Sequence, residues 1–265
     1  MPTLSRSLHQ LGFAAHVIQG MSIIKPPLCH VPAGPFLMGS DPEYDRHTAI
    51  RYEVPQHLVS IEAFEVGKYP VTVAEYACAV HANAVRMPPV SMDIWWDKQL
   101  RHKNCPVVCV SWRDAVAYCS WLTALTGEQW RLPTEAEWEK AARGTDGRIY
   151  PWGDQWDQTR ANTDENSIHH IVPIDAYPNN VSPYNVVGMV GNIWEWCHSL
   201  AEPYPYRADD GREDTEANGR RVLRGGSWAE PFTITRTAFR YDDDTNFPLS
   251  HAGFRLVRGI QTVGK

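Results

Sequence analysis

The stretch that decides the fold is Arg221–Arg258, RVLRGGSWAEPFTITRTAFRYDDDTNFPLSHAGFRLVR. It opens with RGGSW and closes with GFRL, and an irregular mixture of polar and aromatic residues lies between these ends. Gly225-Gly226 allows a sharp bend or a close backbone approach. Rigid ends around an irregular middle are typical of a displayed surface. The whole stretch contains no cysteine, which limits the chemistry it can perform.

The composition is that of an ordinary soluble domain. The 265 residues are 43% hydrophobic and 21% charged, with a formal net charge of -6 and a pI near 6.0. This charge argues against nucleic acid as the main partner. The sequence contains no run of about 18 apolar residues, the length that would be needed to cross a membrane. The first 20 residues lack the long apolar core and the small-residue cleavage site of a secretory signal, so we expect the protein to be cytoplasmic.

The cysteines and histidines predict no metal-binding framework. Six cysteines in a chain of this length do not make a disulfide scaffold, and we expect buried, reduced thiols. They are Cys29, Cys78, Cys105, Cys109, Cys119 and Cys197. Cys105 and Cys109 are the one close pair, without a second pair or histidines in register. His169-His170 would point opposite ways on an extended chain. We therefore expect neither copper nor iron.

The chain divides into residues 1–28, an N-terminal extension or linker, and residues 29–265, a single domain. Leu8, Leu11, Ala15 and Ile18 would share one face of a short helix in the first part. A strand-like segment broken by turn formers is predicted over 31–39, and a second strand over 57–66. Capping boxes at Thr72, Ser111 and Thr134 predict helices that run to about 80, 126 and 143.

Regular structure becomes sparse after Gly144. Short strands are predicted over 192–197, 222–224 and 253–258. The long loops between them must be held by tryptophans and by polar or metal clamps. Arg224, Arg240 and Arg255 could clamp loops by bidentate pairing with carboxylates.

Several blocks occur together in one order, and they carry a family resemblance. They span 34–40, 68–76, 106–122, 130–144, 150–154, 191–196, 221–228 and 253–256, and include RLPTEAEW, YPWGD, GNIWEW, RGGSW and GFRL. The chain resembles the formylglycine-generating enzyme, or sulfatase-modifying factor, family from Cys29 to Arg258. The resemblance implies an α+β fold, an elaborated C-type lectin fold with little regular secondary structure.

The resemblance also implies where oxidative chemistry would lie. Oxidases of the family bind copper with two cysteines, one three residues after the GGS serine and one a little further on. These positions are Glu230 and Thr233–Thr235 here. A carboxylate and a hydroxyl do not supply the soft ligands that copper(I) prefers. A related branch holds iron with histidines of a separate helical domain, for which we expect no room here.

Calcium is the metal that the resemblance implies. One site would use Asn162, the Thr163 carbonyl, Asn166 and the Ile168 carbonyl, with Glu165 nearby; oxygen-rich irregular backbone suits calcium. A second would use the carbonyls of Gly191 and Ile193 with Glu195, but Gly188 stands where an Asn or Asp ligand is usual. Alternatively, these side chains only tie loops together.

The resemblance implies that Cys119 could pair with a cysteine directly after GFR. That position is Leu256 here, so Cys119 is expected to be free.

The middle of the last segment resembles the variable proteins of diversity-generating retroelements. The window 229–252 contains one residue, Glu230, from the set Glu, Lys, Gln, Met and Trp. Adenine mutagenesis of Asn codons would produce a window that lacks these residue types. Rigid aromatic and short polar side chains suit contact surfaces, and three adjacent aspartates could select a basic partner. The candidate ligand-binding residues are Trp228, Glu230, Phe232, Tyr241, Asp242, Asp243, Asp244, Asn246, Phe247 and His251.

Three functions remain open from the sequence. The first is a non-catalytic module that binds a protein or a small molecule, with the C-terminal segment as its surface. The second is an oxidase or oxygenase that acts on a protein cysteine or a small thiol. The third is a purely structural accessory domain. Exposure of the aromatic residues of the segment would favour binding over a structural role.

Overall fold

The structure is a computed structural model that describes residues 5–47, 50–89 and 95–260. The outermost residues of both predicted segments, 1–4 and 261–265, lie outside this description. The helices are α1 Arg6–Gln10, α2 Ile50–Glu53, α3 Val73–His81, α4 Trp96–Gln99, α5 Trp112–Thr126 and α6 Glu135–Arg143. The strands are β1 Ala14–Ile18, β2 Met21–Lys25, β3 Leu28–Val31, β4 Gly34–Met38, β5 His57–Ile61, β6 Phe64–Gly67, β7 Trp130–Arg131, β8 Trp194–Leu200, β9 Arg221–Arg224, β10 Arg240–Asp243, β11 Ala252–Gly253 and β12 Val257–Gly259.

Two four-stranded sheets organise the molecule, one in the order β10-β9-β8-β11 and the other in the order β3-β6-β12-β7. The hairpin β1-β2 and the antiparallel pair β4-β5, whose strands are separated by α2, form two further sheets. The largest core includes Tyr76, Tyr118, Trp196 and Phe254, and it joins α3 and α5 to the first sheet. No described helix is long and apolar enough to span a membrane.

The three predicted long helices are confirmed, each with its capping box. Thr72, Ser111 and Thr134 accept a hydrogen bond from the backbone N–H three residues on, and the acidic residue there bonds back to the cap. Gly127 ends α5 in the left-handed conformation, with φ of 72°, as expected for a C-terminal glycine.

The first 28 residues differ from the prediction. The helix ends at Gln10, and Ala15 and Ile18 lie on β1 instead. Gln19 and Gly20, with φ of 52° and 78°, close a two-residue hairpin turn that favours two strands over a longer helix. Leu8, Phe13 and Ile24 are buried against the domain. The segment is therefore packed onto the domain.

Several predicted strands are shorter or divided. The 31–39 strand becomes β3 and β4, and the 57–66 strand becomes β5 and β6. Pro32 follows β3 directly and has no N–H for a ladder. Asn192, with φ of 69°, delays β8 until Trp194, and the 253–258 strand is divided between β11 and β12. Residues in the left-handed conformation and prolines end these strands earlier than the residue composition alone predicts.

Buried ion pairs hold the loops, as predicted for the three arginines. Arg255 donates to both oxygens of Glu195 at 2.6 and 2.7 Å. Arg240 does the same to Glu135 at 2.6 and 2.8 Å. Arg224 pairs with Glu139 on α6, and neither side chain is exposed. Arg240 and Arg224 thereby fix the first sheet against α6, and Arg255 ties the loop after β11 to β8.

Candidate functional site

The RGGSW turn builds the base of the site. Gly225 and Gly226 have φ of 96° and 73°. A Cβ on Gly226 would lie 2.4 Å from Cγ2 of Thr235, so only glycine fits. Ser227 then donates from its backbone N–H to Glu230 Oε2 at 2.9 Å, and its hydroxyl bonds to the same oxygen. The turn therefore brings the Glu230 side chain back to Ser227, where the turn begins.

The resemblance implies copper-binding cysteines at Glu230 and within Thr233–Thr235, and two of the side chains there carry oxygen atoms that have partners. Glu230 is mostly buried, and its Oε1 lies 3.9 Å from Nε2 of His251. Thr235 is fully buried and donates its hydroxyl to the Phe232 carbonyl at 3.1 Å. Neither side chain can supply a thiolate, either as a metal ligand or as a nucleophile.

All six cysteines are buried and unpaired, as predicted. Burial raises the pKa of the Cys78, Cys105 and Cys109 thiols to about 11. Burial also raises the pKa of Cys119 and Cys197. Because the thiolate is the reactive and metal-binding form, these residues are poor nucleophiles and ligands at neutral pH.

The predicted ligand-binding residues divide into exposed and half-buried ones. Tyr241 is 45% and Phe247 64% exposed, and Asn246 is exposed beside them. Trp228, Glu230, Phe232 and His251 are half-buried. Tyr241 stands on β10 at one edge of the sheet, with its ring 5.6 Å from that of buried Trp194. The segment therefore presents aromatic area to solvent on a rigid base.

The three aspartates are less available than the sequence suggested. They are half-buried, and Asp242 pairs with Arg220, which also lies 3.8 Å from Asp243. Asp244 accepts from the Asn246 N–H at 2.8 Å. Arg220 was not predicted as a site residue. Antiparallel pairing of β9 with β10, which sets Asp243 opposite Arg221, brings Arg220 beside the aspartates.

A second group of aromatic side chains extends the site beyond the predicted residues. Phe232 stacks on Trp156 with ring centroids 5.3 Å apart, and Trp156 contacts Trp152 and Tyr150. His47 meets the other side of Phe232, edge to face at 5.5 Å. We name these five residues the aromatic row. YPWGD was predicted only as a family block, although the tryptophan that follows it, Trp156, was a signal.

The loop that is predicted to hold the first calcium ion lies next to the C-terminal segment. Asp164 N–H donates to the Glu230 carbonyl at 3.1 Å, and Phe232 N–H donates to Glu165 Oε1 at 3.0 Å. The other oxygen of Glu165 accepts from the Thr163 hydroxyl at 2.7 Å. The loop is thus tied directly to the candidate surface.

The residues of the first calcium site fit a cation in one respect. Asn162 is buried, and its Oδ1 has no hydrogen-bond partner. Asn166 Oδ1 accepts from the Thr163 N–H at a long 3.3 Å, and the Ile168 carbonyl lies 2.6 Å from Nδ1 of His170. An orphaned buried amide oxygen is compatible with a hard-cation ligand.

The residues of the second calcium site do not fit. Both oxygens of Glu195 accept from Arg255, and Oε2 also accepts from the Trp138 indole at 2.7 Å. The arginine therefore already neutralises the carboxylate. Gly191 and Ile193 remain in a turn, in which Ile193 N–H donates to the Gly191 carbonyl. We correct the prediction accordingly: Glu195 is a structural ion-pair partner.

The fold and site define a class: a C-type lectin-like domain with the frame of the formylglycine-generating enzymes. The profile of the sulfatase-modifying factor enzyme 1-like domain matches residues 23–260, and the chain belongs to this family. It is 31% identical over 256 residues to inactive C-alpha-formylglycine-generating enzyme 2 of Mus musculus, covering 77% of this chain and 75% of the relative.

A second relative is a named oxygenase. The chain is 31% identical over 263 residues to hercynine oxygenase of Mycolicibacterium smegmatis, covering 86% of this chain but only 60% of that protein.

Solved structures share the fold. PvdO from Pseudomonas aeruginosa has a TM-score of 0.73 and 24% identity, covering 89% of this chain and 95% of its own. Treponema denticola variable protein 1 has a TM-score of 0.69 and 19% identity, covering 94% and 99%.

Proposed function

We propose that this protein is a non-catalytic binding module of the family, with residues 228–251 as its ligand-binding surface. The observation that carries the proposal is the absence of a thiol at Glu230 and across Thr233–Thr235, where the resemblance implies the two copper-binding cysteines. Glu230 is held in a turn by Ser227, and Thr235 is fully buried. The similarity to a relative named inactive supports the same conclusion.

The exposed aromatic side chains support binding over a purely structural role. Tyr241 and Phe247 present large ring surfaces to solvent, and Asn246 offers an adaptable polar group beside them. Aromatic rings contribute contact area at low entropic cost, and short polar side chains adapt to a partner. The partner is a protein or a small molecule. Basic character is a weaker expectation because Arg220 neutralises part of the aspartate charge.

Diversification of this surface is part of the proposal. The window 229–252 keeps the residue set expected from adenine mutagenesis, and the frame around it is buried and ion-paired. Sequencing the gene neighbourhood tests this: a near-identical, adenine-rich copy of codons 221–258 is expected beside the gene. Without such a copy the diversification claim fails and the binding function remains.

The alternative is an oxidase or oxygenase that acts on a protein cysteine or a small thiol. The similarity to hercynine oxygenase favours it. Metal analysis of the purified protein separates the two functions. We expect no stoichiometric copper or iron, whereas one copper or iron ion per chain would support the alternative.

We also propose calcium at the loop of Asn162, Thr163, Asn166 and Ile168, on the basis of the unpartnered Asn162 oxygen. Its role would be to order the loop that bonds to Glu230 and Phe232.

For the compartment we propose the reducing cytoplasm, because six unpaired thiols suit it. The net charge of -6 disfavours nucleic acid as a partner.

A further inference from the structure

A groove of about 530 Å³ lies between β2 of the N-terminal hairpin and α3. Ser22 and Ile24 line one wall, and Ala74, Ala77 and Cys78 line the other. The three helical residues are three or four positions apart, so they share one face of α3. Their short side chains leave room beside the strand. The volume falls within the range of about 300–1,000 Å³ that ligand sites usually have.

The strand that borders this groove has an open outer edge. Gln19 and Gly20 form a two-residue hairpin turn. Ile18 and Met21, which flank the turn, are therefore a hydrogen-bonded pair, and bonded pairs alternate with unbonded ones along the ladder. The backbone N–H and C=O of Ser22 consequently point away from β1 and toward the groove. They have no hydrogen-bond partner among the residues that the structure describes, which makes this edge a template for an added strand.

The groove also has a basic rim. Lys103 and His81 line it and are exposed, and none of its lining residues in the described chain is acidic. Arg101 and His102 lie on a neighbouring groove of about 440 Å³ that shares Lys103 and is likewise lined by no described acidic residue. Lys103 and Arg101 form no ion pair within the part of the chain that the structure describes. Because the whole chain has a net charge of -6, this rim is a local concentration of positive charge that favours an acidic partner.

We propose that this groove binds an extended acidic peptide segment of a partner protein. The peptide backbone pairs with Ser22 as an additional strand, and a peptide carboxylate lies beside Lys103. In strand addition, main-chain hydrogen bonds give affinity and pockets for alternate side chains give specificity. The small residues of α3 leave space for those side chains. A small apolar ligand would leave the Ser22 backbone and the lysine unpaired, so a peptide fits the groove better.

Selection from a displayed library of random linear peptides, with the purified full chain as bait, tests the proposal. We expect acidic sequences rich in β-branched residues. Fluorescence anisotropy of the selected peptides should show that Lys103→Glu weakens binding at least tenfold. Arg207→Glu, an exposed charge reversal outside the groove, should keep it. The groove shares no residue with 228–251, so Phe247→Ala should bind the selected peptides as the wild type does.

Two proline variants test the strand edge. Ser22→Pro removes the backbone N–H that faces the groove, and proline is tolerated at such unbonded edge positions. Val17→Pro is the matched control, because Val17 is opposite Ser22 but its N–H points to the other edge of the hairpin. Selected peptides should bind Val17→Pro as they bind the wild type, and Ser22→Pro at least tenfold more weakly. In the wild type, bound peptide should slow amide hydrogen exchange at Ser22 and leave it unchanged at Val17.

Three results would overturn the proposal. One is a selection that returns no acidic peptides, or peptides that bind Lys103→Glu as tightly as the wild type. Another is loss of binding in Phe247→Ala, which would assign the peptides to residues 228–251. The third is a dimer of the chain that Lys103→Glu dissociates, because a second copy would then occupy the groove. Should Ser22→Pro fail to fold, amide exchange at Ser22 decides: the same rate with and without peptide excludes strand addition.

Discussion

Glu230 accepts a hydrogen bond from the backbone N–H of Ser227 at 2.9 Å, three residues before it in the chain. The family resemblance implies a copper-binding cysteine at the position of Glu230 in the oxidases. Here the Glu230 side chain closes the turn that follows the two glycines. If the resemblance holds at this position, its role is turn stabilisation in this chain and metal ligation in the oxidases.

Replacing Glu230 by Ala tests this role. The Ser227 N–H loses a charged acceptor in a mostly buried turn, so the free energy of unfolding should fall by about 1–3 kcal/mol. Exposed Glu216→Ala is the control and should stay within about 0.5 kcal/mol of wild type. Urea unfolding measures both. Equal stability of the two variants would mean that the turn does not need Glu230.

Glu195→Gln tests the correction of the second calcium site. The substitution leaves the buried guanidinium of Arg255 without its counter-charge, which should cost about 3–5 kcal/mol. The loss should be the same with calcium or with a chelator present, because the proposed partner of Glu195 is an arginine. A loss that appears only with calcium would restore Glu195 as a ligand.

Glu75 should make stability fall as the pH rises. Burial raises the pKa of its carboxyl to about 8, and its Oε1 has no hydrogen-bond partner, which suits a neutral side chain. In the unfolded chain the pKa is about 4.3. The stabilising contribution is therefore complete below about pH 4 and is lost progressively as the pH rises through 8.

Unfolding of the wild type and Glu75→Gln between pH 5 and 9 measures this effect. The variant should lose much of the fall in stability toward alkaline pH, whereas exposed Glu216→Gln should keep it. A wild type that becomes more stable from pH 5 to 8, with the same slope in Glu75→Gln, would contradict a neutral Glu75.

The local signals in the sequence predicted part of this molecule well. Thr72, Ser111 and Thr134 marked three helices because a capping box is read from residues three apart. The pairing of Asp242 with Arg220 could not be read in that way, since it depends on which strands become neighbours. Burial of Thr235 likewise follows from the close approach of Gly226. Contacts set by tertiary structure were the ones missed.

The proposed surface should tolerate substitution where the frame does not. Phe247→Ala removes a mostly exposed ring and should change the free energy of unfolding by less than about 0.5 kcal/mol. Phe254→Ala is the matched control: its ring is fully buried, and its loss should cost about 3–5 kcal/mol. Comparable losses at both positions would show that Phe247 belongs to the core and is not available to a partner.

Oxidation of a cysteine-containing peptide in air, with copper(I) supplied, tests the central claim most directly. Mass spectrometry of the peptide with and without the protein gives the rate. Because Glu230 and Thr235 offer no thiolate pair, we predict that the protein adds nothing to the copper-only reaction. Multiple turnovers that depend on the protein would contradict a non-catalytic binding module.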